Sequence, residues 1–215
     1  MFRLYGARMA AVFVVRVWLP DRPGALGAVA SRIGAVRGDL VGIDILETGA
    51  GRAIDELVVS LPSEDLVPLL IKEIQEVDDV DVEDIRPVHG DVPDSRVAAL
   101  ESAADLLAQP SDDAVRKALV EHGVRDFEAE WAAIIEDGAL VASTGDTPTA
   151  DWLAAFVAGA PDSGAEDVAW ARVGERGAFV LGRQGRPFRS RERRQLAALA
   201  RIITWRLRSP SAATD

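Results

Sequence analysis

Leu19-Pro20-Asp21-Arg22-Pro23-Gly24-Ala25-Leu26 is the stretch on which the fold turns. It follows the apolar run Val12 to Trp18 and opens a segment with Leu26, Val29, Ile33 and Val36 on one helical face. That pattern predicts strand, turn and helix in immediate succession. Pro23 has a φ suited to a first helical position and no N–H to leave unpaired there. Gly24 lacks a Cβ, so a ligand can approach the backbone. The free N–H groups of a new helix favour a carboxylate above the turn. The same residues also serve as an ordinary helix cap. Both readings stand at this point.

Working outward, the helix spans Gly24 to Val36 and is expected to end on Gly38. Strands at Leu40–Leu46 and Ile54–Leu61 follow, joined by the glycine-rich hairpin Thr48-Gly49-Ala50-Gly51-Arg52. In the second strand Leu57, Val59 and Leu61 alternate inward. Ser63 caps a second helix with Glu64 and Asp65 in its first turn and the stripe Leu66, Leu70, Ile74 and Val77. Pro68 falls near its start, where proline is tolerated. Val80 to Arg86 is a final strand. This βαββαβ order predicts a ferredoxin-like α+β unit, one antiparallel sheet carrying two helices on one face.

Residues 11–88 resemble an ACT domain, a regulatory module found on many enzymes of amino-acid metabolism. The match is carried by Asp21-Arg22-Pro23-Gly24-Ala25-Leu26, the helix to Gly38, and the entry Asp39-Leu40-Val41 into the second strand. The resemblance implies pairing of two copies through their sheets and an amino acid bound at the paired edge. Its contacts would fall on Pro20, Asp21, Arg22, Pro23, Gly24, Ala25 and Leu26 of the turn, and on Leu40, Val41 and Gly42 of the second strand. Serine-binding members carry polar side chains where this chain has Leu19 and Leu40. A buried ligand group that loses its hydrogen-bond partner costs roughly 1–3 kcal/mol. Either the ligand is apolar or the domain only dimerises.

His89-Gly90-Asp91-Val92-Pro93-Asp94 is polar with glycine and proline, so residues 89–95 are expected to link residues 1–88 to a second domain at 96–208. There, Arg96–Leu107 is a helix with Val97, Leu100, Ala104 and Leu107 on one face. Ser111 caps a helix expected to stop near His122 at Gly123. Glu128–Glu136 and Ala139–Ser143 form a hairpin across Asp137-Gly138, and Thr149–Ala158 is helical. Val168–Val173 and Gly177–Gly182 make another hairpin, and Glu192 to Leu207 a final helix striped by Leu196, Leu199, Ile203 and Leu207. Residues 209–215 are expected to be a disordered tail.

This half is similar to a small GAF domain, a sensor fold, through its ending: Gly177-Ala178-Phe179-Val180-Leu181-Gly182, then Arg186-Pro187-Phe188, then Glu192 to Ala200. Together the halves predict an α+β chain with two antiparallel sheets. Trp131, Trp152, Phe156 and Trp170 either line a pocket or are ordinary core.

The chain has no cysteine, which removes thiol nucleophiles and thiolate metal sites. His89 and His122 have no ligand-like spacing, so no metal or other cofactor is expected. Serine, histidine and acid form no recognisable catalytic motif, and the expected role is not enzymatic. With a net charge of −11, general nucleic-acid affinity is not expected. No run is long enough to span a membrane, and Arg16 with Pro20-Asp21-Arg22-Pro23 interrupts the signal-like N-terminus, so a cytoplasmic address is expected. Between Arg183 and Arg208 lie nine arginines and one acid. This strip either pairs with acidic residues such as Glu73, Glu76, Asp78 and Asp79, forms a solvated face, or contacts nucleic acid. The whole reads as a regulatory sensor for an amino acid or similar metabolite, acting as a homodimer through the ACT sheet. The alternative is a dimerising scaffold with no small ligand.

Overall fold

A computed structural model describes residues 11–90, 94–159 and 166–208. The expected tail at 209–215, the start of the first domain and the middle of the expected linker lie outside the described residues. The chain divides between residues 93 and 94 into two compact units.

The first unit runs β1 (Ala11–Pro20), α1 (Ala25–Ala35), β2 (Asp39–Gly49), β3 (Arg52–Leu61), a single 3-10 turn at Glu64–Leu66, α2 (Val67–Gln75) and β4 (Asp81–Pro87). The sheet order is β2-β3-β1-β4, with every pairing antiparallel. Alternation along β1 and β3 turns Val15, Val17, Leu19, Leu57, Val59 and Leu61 inward against Val29, Ile33, Leu70 and Ile74 of the helices. Ala50 and Gly51 both have positive φ, which gives the β2–β3 hairpin the tight turn that matches strand twist. Pro68 sits in the first turn of α2, and Ser63 caps the 3-10 turn before it.

Two terminal details differ from expectation. Pro23 is not the first helical residue: Gly24 is the N-cap, in the left-handed region at φ 90°, and α1 starts at Ala25. Glycine is needed there for conformation as well as space. At the other end the left-handed residue is Arg37 (φ 61°), not Gly38. The Arg37 N–H bonds Gly34 O at 2.9 Å and the Gly38 N–H bonds Ile33 O at 3.0 Å, the paired closure of a Schellman ending. Gly38 is required for a different reason. A Cβ there would stand 2.9 Å from the Ile33 side chain and 3.1 Å from Leu61.

The second unit contains α3 (Ser95–Leu107), α4 (Asp112–Asp126), β5 (Trp131–Glu136), β6 (Ala139–Thr144), α5 (Ala150–Gly159), β7 (Val168–Val173), β8 (Gly177–Gly182) and α6 (Ser190–Arg208). Its antiparallel sheet has the order β6-β5-β8-β7. Phe179 and Leu181 face a core built with Leu119, Leu196 and Ile203. Ala178 and Val180 face the other side, under Leu153 of α5. Burial of both faces explains why β8 is an unbroken apolar run. Asp137 and Gly138 take the positive φ values that a two-residue hairpin demands.

Here too the sequence misplaces three features. Gly123 does not end a helix; α4 runs on to Asp126, and glycine is present because a Cβ would lie 2.5 Å from Phe179 Cζ. Strand β5 starts at Trp131, because Glu128 adopts φ 47° and cannot extend the ladder. The apolar stripe of α3 faces outward. Leu100 is 72% exposed, Val97, Ala104 and Leu107 are also exposed, and Ser102 and Leu106 turn inward instead.

Candidate functional site

The turn after β1 is built by three backbone contacts. The Asp21 N–H donates to Gly51 O at 2.9 Å, tying the turn to the tip of the β2–β3 hairpin. Arg22 N–H donates to Pro20 O at 2.9 Å, and Ala25 N–H to Arg22 O at 3.3 Å. Asp21, Arg22, Pro23 and Gly24 are exposed, and nothing lies within 4 Å of where a Gly24 Cβ would be. Gly24 offers no side chain to cap α1, so beyond the Ala25 N–H, which Arg22 O takes, the first-turn N–H groups open above a pinned, accessible turn. Ala25 and Leu26 point into the core and Pro20 is half-buried, so these three contribute backbone and shape.

The second part of the predicted site is elsewhere in the same chain. Along β3, Arg52 pairs with Pro20, whereas Leu40 pairs with Val59, seven residues further up that strand. Leu40, Val41 and Gly42 are therefore about 23 Å from the turn at the rise of an extended strand. Leu40 packs onto the core, Val41 is 43% exposed at a bulge, and a Cβ on Gly42 would press Val58 at 3.2 Å. One chain does not bring the two groups together.

A residue that the sequence reading passed over does lie near the turn. Asp55 of β3 pairs with Val17 on one side and Ile45 on the other. Strand alternation places it between Ala53 and Leu57 on the helix-facing side. It is 3% exposed, and its buried Oδ1 has no hydrogen-bond partner among the described residues. Burial, with the negative charge of Asp21 behind it, pushes the Asp55 carboxyl above its ordinary value. The signal was available: period two, carried back from Leu57, puts Asp55 inside.

On the opposite face, Arg16 is 1% exposed and donates to Glu56 Oε1 from Nε at 3.0 Å and Nη2 at 2.8 Å. Arg86 donates to the same oxygen at 2.9 Å and to Asp84 at 3.2 Å. Burial acts to raise the Glu56 carboxyl, but the two guanidiniums more than offset it and hold the group below its usual range. This is a structural charge cluster in which two guanidiniums converge on one carboxylate oxygen.

In the second unit the structure does gather a serine, a histidine and acids. Ser102 Oγ donates to Asp126 and accepts from Arg125 at 2.9 Å. His122 Nδ1 lies 3.2 Å from Ser102 Oγ and beside Arg125 Nη2, with Asp105 3.9 Å from Nε2. Ser102 is 1% exposed and its proton is directed to Asp126 rather than to the imidazole. A nucleophile needs an accessible oxygen and a base to take its proton. The cluster instead fastens α3 to α4. Its one sequence trace is the His122–Asp126 spacing on one helix face.

The aromatic residues divide. Trp131, Phe156 and Trp170 pack against the α5-side core, while Trp152 is 45% exposed and stacks on Phe156 with centroids 5.2 Å apart. A cavity of about 290 Å³ is lined by Trp170 and Val157 together with Arg172 and Arg176. Within the second unit Arg183, Arg186, Arg193, Arg206 and Arg208 of the arginine strip each have a partner, and within the first unit Glu73 takes Arg32 of α1 at 3.1 Å. Among the described residues, no three histidine or acidic groups could hold a metal ion, and no helix is long and apolar enough to cross a membrane.

The family model of the ACT domain matches residues 13–79. Among solved structures, the chain is similar to the crystal structure of the ACT domain from GTP pyrophosphokinase of Chlorobium tepidum. The two are 14% identical over 37% of this chain and 100% of that chain, with a TM-score of 0.30. The solution NMR structure of that ACT domain gives 13% identity over 39% of this chain and 91% of that chain, also at 0.30. An unknown protein from Galdieria sulphuraria is 13% identical over 80% of this chain and 79% of that one, at 0.34. No curated protein matches the chain. The strand–turn–helix and hairpin described above thus belong to an ACT domain at residues 13–79, a module suited to regulatory binding of small molecules.

Proposed function

We propose that this chain is a cytoplasmic, non-catalytic regulatory protein that binds an amino acid or similar small metabolite between two copies of its ACT domain. The observation that carries this reading is the uncapped start of α1 above an exposed turn pinned to the β2–β3 hairpin. Strand β2 is the edge of the sheet, with Val41 43%, Ile43 41% and Ile45 54% exposed along it. Antiparallel pairing of β2 with β2 of a second copy sets the start of one strand beside the hairpin end of the other. Leu40, Val41 and Gly42 of one copy then meet Asp21 to Gly24 of its partner. The separation of about 23 Å within one chain becomes a reason for a two-fold dimer. In the second unit, the closing strand β8, the Arg186-Pro187-Phe188 turn and α6 follow in the order that supports a GAF-like sensor domain.

The test is thermal unfolding of the full chain with each of the twenty amino acids at millimolar concentration, beside light scattering for mass. Binding to the folded state raises the melting temperature. An amino acid that stabilises a dimeric protein, with the effect lost in Gly24→Leu, supports the reading. A dimer that no amino acid stabilises favours the scaffold alternative, for which the exposed β2 residues are sufficient.

A further inference from the structure

We infer that Asp55, backed by Asp21, is the anchor for a cationic ammonium group on the ligand of the β1–α1 turn. The inference rests on the reading of that turn as a ligand site and adds what the ligand must carry there.

The sequence directs attention to helix N–H groups, which select an anion, but the chain places two carboxylates beside the same turn. Asp55 is 3% exposed, and its Oδ1 is buried with no partner among the described residues. Buried polar atoms are almost always satisfied, so an orphaned carboxylate oxygen calls for a donor. Among the described residues no guanidinium is bonded to it, in contrast to Glu56 one residue on, which binds two. Asp21 is exposed and close enough for its charge to disfavour ionisation of Asp55. A primary ammonium between the two offsets the cost of burying the Asp55 charge by supplying N–H donors and an opposite charge, and it cancels the repulsion from Asp21.

Two acids without a third ligand make a poor metal site. An ammonium needs only hydrogen-bond acceptors of opposite charge, and these are present. A carboxylate on the same ligand has the uncapped start of α1, and Ile45, directly across from Asp55 on β2 and 54% exposed, offers an apolar wall. The fit is to a small aliphatic compound whose charged amine is indispensable.

The experiment titrates the full chain, wild type and Asp55→Asn, with the twenty amino acids and with primary alkylammonium chlorides against sodium chloride at equal ionic strength. For any amino acid that binds, its des-amino carboxylic acid is titrated too. Asparagine keeps the shape and removes the charge, so Asp55→Asn is expected to fold with an unchanged or higher melting temperature. It should bind the ligand at least tenfold more weakly. Asp21→Asn, at an exposed position, should weaken binding by a smaller factor and provides a second variant. The des-amino acid should not bind. Equal affinity of wild type and Asp55→Asn for an amino acid overturns the inference and leaves the proposed function standing. Alkylammonium binding lost in Asp55→Asn, with no amino acid bound, upholds the anchor and overturns the amino-acid reading. Binding of neither class overturns both.

Discussion

Gly123→Ala sets two effects of known size against each other at one atom. In an exposed helix, alanine is better than glycine by about 1 kcal/mol. Inside α4 the added methyl would stand 2.5 Å from Phe179 Cζ and 2.8 Å from Leu181 Cδ2, where ordinary contact begins at 3.4 Å. Both side chains are fully buried, so neither has a free direction in which to retreat. Relief requires α4 to lift from β8 or the Phe179 ring to leave its rotamer, and overpacking of this kind costs about 1–3 kcal/mol. A shortfall near an ångström on two rigid neighbours belongs in the upper half of that range. The expected net effect is a loss of about 1–2 kcal/mol.

The assay is urea unfolding followed by tryptophan fluorescence. Trp131, Trp152, Trp170 and Trp205 all report the second unit, and Trp18 the first. Gly34→Ala in α1 is the control. That glycine is exposed and nothing lies within 4 Å of its would-be Cβ, so propensity acts alone and stability should rise by up to about 1 kcal/mol. If Gly123→Ala unfolds at the same or a higher urea concentration than the parent, the packing argument is refuted.

Glu56→Gln should cost about 3–5 kcal/mol at neutral pH, because it removes the carboxylate charge that the buried Arg16 and the partly buried Arg86 share. Glu56 is depressed in the folded state, so its stabilisation is present above the unfolded value near 4.5 and is lost as pH falls through the folded one. The gap between parent and variant should therefore narrow in acid below about 4.5; a constant gap down to pH 2 would contradict this. Arg183→Lys should destabilise the second unit by at least about 2 kcal/mol, since one ammonium cannot serve the acceptors of a planar fork. Differential scanning calorimetry reads this, and an unchanged transition would show that the fork is dispensable.

Element order was legible because each unit obeys local rules. Period two in β1 and β3, period 3.6 in α1, and the Asp137-Gly138 turn all agree with the packing that the structure shows. The errors share a cause. Glycine has two uses, backbone freedom and missing volume, and both look the same in a sequence. Gly38 and Gly123 read as the first use and belong to the second, while Arg37 has the conformation expected of Gly38. Periodicity likewise reveals that α3 has an apolar stripe without saying that Ser102, satisfied by Asp126 and Arg125, occupies the inward side. At the candidate site the turn was visible and Asp55 was not, because attention to apolar alternation passes over an acid that keeps the same beat. The distance between Leu40 and the turn depends on strand register, which no local pattern supplies.

Arg183 has a consequence of another kind. Its guanidinium donates to the carbonyls of Phe127, Arg186 and Pro187 and to Glu192, and it faces the Phe188 ring at 4.0 Å. The contact with Phe127 spans 56 residues. In a chain without cysteine, this side chain occupies the position of a cross-link. A disulfide would also restrain the unfolded chain, whereas the guanidinium acts only once its acceptors are assembled. The second unit can therefore unfold without restraint and close again with no oxidant, and its integrity is indifferent to the redox state of its surroundings.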